Sequence, residues 1–454
     1  MVKSMKKIVI GGGHPLYGDI NVSGMKNAAL PIIFASILTK DKCVIENLPE
    51  VSDVSLSLRI LRAMGASVRM INRTTVEIDT THFVGGSSPY QLVSKLRGST
   101  YLLGAELGRF GEARVGFSGG CDFGTRPIDQ HKKGFEALGA VMTIENGCNH
   151  IVTGPSGLSG ASIYFDIASV GATINVILAA VMTPGRTSID NAAREPHIVD
   201  LANFLNMCGA RISGAGTSFI KIQGVERLHG CNYTIIPDMI EAGTYMAAAA
   251  AAGGRVTVRG VIPKHMETVT AKLLEMGVAV DECDDSIIVS RQAPLRHANI
   301  KTYFYPGFPT DMHPQFSALL ALASGTSTVT EGVFESRFKY VDELAKMNAD
   351  ISVDGRTATI VGPAKLTGAP VKAVDLRGGA ALVIAGLAAE GTTEIYNVEL
   401  IERGYDNIVG KLRGIGADIS FVDIPEGTAA KTNRRQFKKK NETGRAVVRR
   451  PGRF

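Results

Sequence analysis

One phrase recurs through this chain at nearly constant spacing: an apolar helix end, a glycine (once an asparagine), a small residue, then a strand-like run. It stands as LRAMGASV around Gly65, FEALGAVM around Gly139, LNMCGARI around Gly209, LLEMGVAV around Gly277, LAKMNADI around Asn348 and LRGIGADI around Gly416. The steps between these anchors are 74, 70, 68, 71 and 68 residues, so one unit of about 70 residues fills the chain six times. A helix C-terminus is closed most easily by a residue that tolerates positive φ, Gly first and Asn next. The exchange of Gly for Asn at position 348 is the swap that such a backbone permits.

Helices rich in small apolar residues precede the anchors: Asn27 to Leu38, Thr173 to Met182, Thr244 to Ala252, Gln315 to Ala323 and Gly379 to Ala389. Strand-like segments follow them after a glycine, as in GRTSID, GGRVTVRGV, GTSTVTEGV and GTTEIYNV. Each unit therefore reads as strand, helix, strand, helix and a strand pair. A helix of Ala and Gly with few charges is packed on all sides, which places it inside a domain with sheets around it. At 454 residues the chain exceeds one core, and two globular clusters of three units fit it better than a solenoid with capping repeats.

The formal charge is +6 over the chain, but the ten Lys/Arg and one acid from Lys431 onward put +9 in the tail and leave residues 1–430 at −3. Residues 431–454 read as a disordered basic tail, suited either to nucleic acid or an anionic surface or to simple solvation. Cys43, Cys121, Cys148, Cys208, Cys231 and Cys283 show no CxxC or other metal-ligand spacing, which points to a reduced, cytoplasmic protein without a metal. The start MVKSMKKIVI lacks the apolar run of a signal peptide, and the run Ala247 to Ala252 is too short for membrane insertion.

Charged and polar residues interrupt the apolar text at repeated places. Where the small-residue helices begin stand Lys26 with Asn27, Arg97, Ser169, Asp238 with Glu241, Asp311 and Arg377. In the loop before the second helix of a unit stand Asp53, Cys121 with Arg126, Arg194 with Glu195, His265, Arg337 and Arg403. Helix N-termini offer free amides and partial positive charge, so equivalent positions of several units can converge on one anionic ligand. Taken singly, each arginine reads as a surface ion pair. Together, in a mildly acidic body, Lys26, Arg97, Arg126, Arg337, Arg377 and Arg403 point to a substrate with several negative groups.

The segments SGMKNAALPIIFASIL, SGGCDFGTRPIDQH, SVGATINVILAA, NAAREPHIVDLANFL, FPTDMHPQF, FESRFKYVDEL, DLRGGAALVIAGLAAEGTT and IERGYDNIVGKLRGIGA resemble the UDP-N-acetylglucosamine branch of the enolpyruvyl transferase family, in order, over about residues 7 to 425. The shikimate-pathway branch has Lys-Ser in place of Lys26-Asn27 and lacks the cysteine loop. The resemblance implies an α/β fold, a two-domain inside-out α/β barrel of six βαβαββ repeats, three per domain. Residues 1–22 and 236–430 would form one domain and residues 23–235 the other.

It further implies transfer of the enolpyruvyl group of phosphoenolpyruvate to the 3′-hydroxyl of UDP-N-acetylglucosamine by addition and elimination, with no cofactor, as the first committed step of peptidoglycan precursor synthesis. Lys26, Arg126 and Arg403 would hold phosphoenolpyruvate, Asp311 would be the base, and Cys121 would be the loop thiol alkylated by fosfomycin. Asn27, Arg97, Asp129, His131, Ser169, Val170, Gly171, Val333, Arg337 and Arg377 would contact the substrates or line the cleft. Tyr101, Ile167, Glu402 and Asp122 depart from the residues common at those places. The alternatives are an enolpyruvyl transferase of secondary metabolism acting on another nucleotide or sugar, and a non-catalytic UDP-sugar-binding paralogue.

Overall fold

All six anchors take the left-handed backbone that their sequence requires: φ is 99° at Gly65, 94° at Gly139, 98° at Gly209, 84° at Gly277, 66° at Asn348 and 102° at Gly416. The computed structural model describes residues 6–86, 88–117 and 128–424. Cys121, Asp122 and Arg126 lie outside the described residues, as does the tail.

The unit around Gly209 shows the repeat in full. Strand Ser162–Tyr164 leads through the helix Val170–Ala180 to the parallel strand Arg186–Asp190. The helix Pro196–Met207 then returns the chain to an antiparallel pair, Arg211–Ser213 and Phe219–Gln223. Among the described residues there are six sheets, five of four strands and one of three. The three-stranded sheet joins Glu112–Gly116, Cys148–Thr153 and Ala140–Glu145. It departs from the expected unit because the segment before it passes through Gly85, Gly86 and Pro89, which weaken a strand, and forms only the short helix Tyr90–Val93.

The core helices form two groups. Lys26–Ala35, Tyr101–Phe110 and Val170–Ala180 pack on one another, and so do Met239–Ala252, His313–Leu320 and Leu376–Ala388. Side chains all round Met239–Ala252 and Leu376–Ala388 are buried, including Ala247 to Ala251 and Ala380 to Ala385, which is why their sequence is small and apolar without a polar stripe. Close approach demands the smallest residue at Gly104, where a Cβ would lie 2.3 Å from the Asn175 carbonyl oxygen on the neighbouring helix. The Asn175 side chain also accepts from the Gly104 N–H at 2.8 Å.

Chain ends and crossings are tied by hydrogen bonds. The first strand, Lys6–Gly11, lies between Thr392–Tyr396 and Asp418–Asp423 and is antiparallel to both. The next, Leu16–Asn21, is parallel to Gly254–Arg259. Residues 23–25 and 236–238 run side by side: Met25 N–H donates to the Ile236 carbonyl at 2.8 Å and Asp238 N–H to that of Ser23 at 2.9 Å. Gly24 is obligatory there, because a Cβ would fall 1.6 Å from the Asn47 carbonyl oxygen. Beside the crossing, Lys411 Nζ donates to buried Glu241 Oε1 (2.6 Å) and to Ser23 Oγ (2.8 Å), while Ser23 N–H donates to Glu241 Oε2 (2.7 Å).

Candidate active site

Two charged clusters form where the core helices begin. Asp311 sits in the turn Thr310–Met312 ahead of His313–Leu320, and its carboxylate lies between two guanidinium groups. Arg337 Nη2 reaches Oδ1 at 2.6 Å, and Arg377 reaches Oδ2 through Nε at 3.2 Å and Nη2 at 3.1 Å. Both arginine side chains are buried, whereas the Asp311 side chain keeps 29% of its surface exposed. Burial raises the Asp311 proton affinity, but Arg377, Arg337 and Lys26 outweigh it and hold the carboxyl well below the ordinary range. Asp311 is therefore a fixed anion, a poor base until its guanidinium partners are drawn to another anion.

The arginines are held in turn. Arg337 Nη1 donates to Thr310 Oγ1 at 2.8 Å, and the Thr310 hydroxyl donates to buried Glu331 Oε2 at 2.7 Å. Glu331 Oε1 accepts the N–H groups of Val333 (2.7 Å) and Phe334 (2.9 Å), which fixes the loop bearing Arg337. Arg377, in the first turn of Leu376–Ala388, lies over the Tyr405 ring at 5.2 Å. The Tyr405 hydroxyl is tied to Thr244 Oγ1 (2.9 Å) and Gln315 Nε2 (3.1 Å). Asp375 caps the same helix by accepting from Arg377 N–H at 2.9 Å.

The second cluster joins residues 350 apart in sequence. Asp53, in the first turn of Ser52–Ala63, accepts Lys26 Nζ on Oδ2 at 3.3 Å and Arg403 Nε on Oδ1 at 3.0 Å. The Asp53 side chain is 6% exposed, against 12% for Lys26 and 19% for Arg403, so the carboxylate lies deeper than the two cations it joins. Because the Lys26 charge acts on Asp311, the clusters are neighbours. Among the described residues the clusters gather Lys26, Arg337, Arg377 and Arg403 around Asp53 and Asp311, a concentration of cations suited to an anion.

Of the remaining described residues expected at the site, Arg97, Asp129, His131, Ser169, Val170 and Gly171 gather round the start of Val170–Ala180. A Cβ on Gly171 would touch the His131 ring at 2.9 Å, and His131 Nδ1 lies 3.0 Å from Asn175 Nδ2. Burial, then the Arg97 charge, lower the His131 imidazole to about 4, while Asp129 raises it. Arg97 stands beside Tyr101, whose phenol burial pushes up to about 12. Ser169 spends its hydroxyl partly as a helix cap, accepting from Ala172 N–H at 3.3 Å. Asn27 and Val333 are half-buried near Lys26 and Arg337 in sequence, and Ile167 is exposed.

Three residues emerge from the structure without having been expected as site members. Asp53 stood out in sequence by position only. Glu331 follows the strand run GTSTVT and carries no signal of its own. His197, in REPHIVD, is buried within the electrostatic reach of Asp311, and burial lowers it to about 4 despite that carboxylate.

Comparison with known proteins shows the same architecture and sequence pattern. The sequence model of EPSP synthase (3-phosphoshikimate 1-carboxyvinyltransferase) matches residues 10–412. The chain is 54% identical over 415 residues to UDP-N-acetylglucosamine 1-carboxyvinyltransferase 3 of Caldanaerobacter subterraneus subsp. tengcongensis, covering 91% of this chain and 99% of that one. It is also 54% identical over 416 residues, with the same coverage, to UDP-N-acetylglucosamine 1-carboxyvinyltransferase of Clostridium botulinum. Among solved structures, the enolpyruvyl transferase NikO from Streptomyces tendae superposes with a TM-score of 0.84 at 27% identity, covering 93% of this chain and all of that one. An EPSP synthase from Acinetobacter baumannii, at 20% identity and a TM-score of 0.71 over 92% of this chain and all of that one, shares the fold.

Proposed function

This chain belongs to the EPSP synthase family of enolpyruvyl transferases, and from that premise we propose how its residues carry out the reaction. It is a UDP-N-acetylglucosamine 1-carboxyvinyltransferase: it transfers the enolpyruvyl group of phosphoenolpyruvate to the 3′-hydroxyl of UDP-N-acetylglucosamine and releases phosphate, in peptidoglycan precursor synthesis. The observation that carries the site reading is the Asp311 carboxylate held between Arg337 and Arg377 beside the Lys26–Asp53–Arg403 cluster.

Phosphoenolpyruvate, with a carboxylate and a phosphate, is the anion that this concentration of cations suits. Lys26 and Arg403, with Arg126 from outside the described residues, bind it through charge-assisted hydrogen bonds. Binding draws guanidinium charge from Asp311 toward the substrate and restores proton affinity to its carboxylate, which then accepts the proton of the sugar hydroxyl as that oxygen bonds to C2 of the enol and the C2=C3 π pair takes up a proton at C3. Phosphate leaves from the adduct when a proton is lost from C3. Arg97, Asp129, His131, Ser169, Val170 and Gly171, together with Asn27, Val333 and Arg337, receive the nucleotide sugar. Cys121, outside the described residues, is the thiol open to alkylation by fosfomycin. The domains divide at 22/23 and 235/236, residues 431–454 stand outside the catalytic unit, and the enzyme acts in the cytoplasm.

Phosphate release from phosphoenolpyruvate by the purified full chain, with and without UDP-N-acetylglucosamine, tests this reading. Release that depends on the sugar nucleotide and is lost in Asp311→Asn is the expected result, and deletion of residues 431–454 leaves the rate unchanged. Release that ignores the sugar nucleotide, or that survives in Asp311→Asn undiminished, overturns it.

A further inference from the structure

Away from the site, three cysteines distant in sequence meet at the end of one helix. Cys208 caps the C-terminus of Pro196–Met207, Cys43 lies in the strand Lys42–Glu46, and Cys231 immediately precedes the strand Asn232–Thr234. The Cys208 and Cys231 sulfurs are 3.3 Å apart, and both residues are free thiols. Cys43 is their neighbour: Asn232 pairs with Val44 in the parallel ladder, and Val44 N–H donates to the Cys231 carbonyl at 2.9 Å. Cys43 and Cys208 are fully buried, whereas Cys231 is half-buried and open to a small solute.

We infer that Cys208 and Cys231 form a peroxide-oxidisable dithiol, with Cys231 the sulfur that meets the oxidant and Cys208 the sulfur that resolves it. The backbone is already placed for the bond, because His229 N–H donates to the Cys208 carbonyl at 2.9 Å and the ladder holds Cys231 on its other side. A disulfide bond is about 2 Å long, so the sulfurs need approach by little more than an ångström. The Cys231 thiolate attacks one oxygen of a hydroperoxide, the O–O bond breaks, and the alkoxide or hydroxide leaves to take up a proton. The Cys208 sulfur, giving up its proton, then attacks the Cys231 sulfenic acid; the S–S bond forms, the S–O bond breaks and water leaves. Two electrons pass from the two sulfurs to the peroxide, and a dithiol reductant reverses the change. Cys43, buried behind the pair, gives exchange a third partner but is shielded from the oxidant.

The test is peptide mapping of the full chain after a brief hydrogen peroxide treatment and maleimide trapping, which reports each cysteine separately. The expected product is a tryptic pair joining Cys208 to Cys231, with the mass of two hydrogens lost and regained on treatment with dithiothreitol. In Cys208→Ala, Cys231 is trapped by dimedone as the sulfenic acid; in Cys231→Ser, at a half-buried position that tolerates the change, Cys208 stays reduced. Cys231 accumulating as sulfenic or sulfinic acid in the unsubstituted chain while Cys208 remains a thiol would overturn the inference, as would a dominant link to Cys43.

Discussion

Replacing Asp53 by Asn removes one charge and almost no volume from the point where Lys26 and Arg403 meet. The carboxylate accepts two charge-assisted hydrogen bonds, at 3.3 and 3.0 Å, each of about 1.5–3 kcal/mol when well buried. Asn keeps one neutral acceptor, and the 12% and 19% exposure of the two cationic side chains calls for a solvent discount, so the net loss comes to about 2 kcal/mol. Two outcomes compete. If the carboxylate positions the cations from behind, its loss lets two like charges splay, and the KM for phosphoenolpyruvate rises about thirtyfold, the equivalent of that 2 kcal/mol. If it instead occupies the substrate's place, its loss removes a competitor and KM falls. The burial order, with Asp53 deeper than either partner, selects the first. Steady-state phosphate release with phosphoenolpyruvate varied at saturating UDP-N-acetylglucosamine measures it, with kcat expected to change far less than KM. An unchanged or lowered KM refutes the positioning role.

Other perturbations act on the scaffold. Gly104→Ala forces a methyl toward the Asn175 carbonyl oxygen, 2.3 Å away, and should cost about 2–3 kcal/mol by overpacking, read as a lower urea midpoint at unchanged slope. Buried Glu106 accepts Gly86 N–H at 3.0 Å, and burial raises its carboxyl to about 7 from 4.5. A folded-state value above the unfolded one means stability fully present below pH 4.5 and lost as pH rises through 7, so Glu106→Gln should gain up to about 3 kcal/mol at pH 8.5 and little at pH 4.5. Denaturant melts of both proteins at the two pH values check this, and equal gains at both would refute it. Imidazole NMR should find His131 and His197 neutral down to about pH 4, where burial has pushed them, whereas His150, raised by its hydrogen bond to Glu112, should titrate above 6.5.

The repeat was legible because it rests on local backbone chemistry: a left-handed residue at each of six anchors allows only Gly or Asn, and those positions alone lay down the period. The strands that start at or just after Gly185, Gly253, Gly325 and Gly391 were legible for the same reason, each of these glycines taking a positive φ. The core helix Tyr101–Phe110 was not, since Glu106 and Arg109 interrupt its small apolar pattern; Glu106 is fully buried and Arg109 donates to the Ile37 carbonyl at 2.7 Å. At the candidate site, Lys26, Asp311 and Arg377 could be found as charges where the small-residue helices begin, and Arg337 and Arg403 as charges in the loops before the second helices. Their pairing could not. Asp53 and Arg403 are 350 residues apart, and the bridge between them exists only after both groups of helices are built. Glu331, in loop text, and His197, in the first turn of Pro196–Met207, sit at buried positions with no sequence signal of their own.

The strand Lys6–Gly11, held between Thr392–Tyr396 and Asp418–Asp423, gives the molecule a clock. The ribosome delivers it nearly 400 residues before either partner, and at roughly 5–20 residues per second the wait is on the order of 20–80 s. Through that interval the strand carries unpaired amides and carbonyls on both edges. The sheet of Lys42–Glu46, by contrast, takes its last strand, Asn232–Thr234, about halfway through synthesis. The sheet that begins second is thus the first of the two that can be finished, and the strand Lys6–Gly11 depends on whatever shields it in the nascent state.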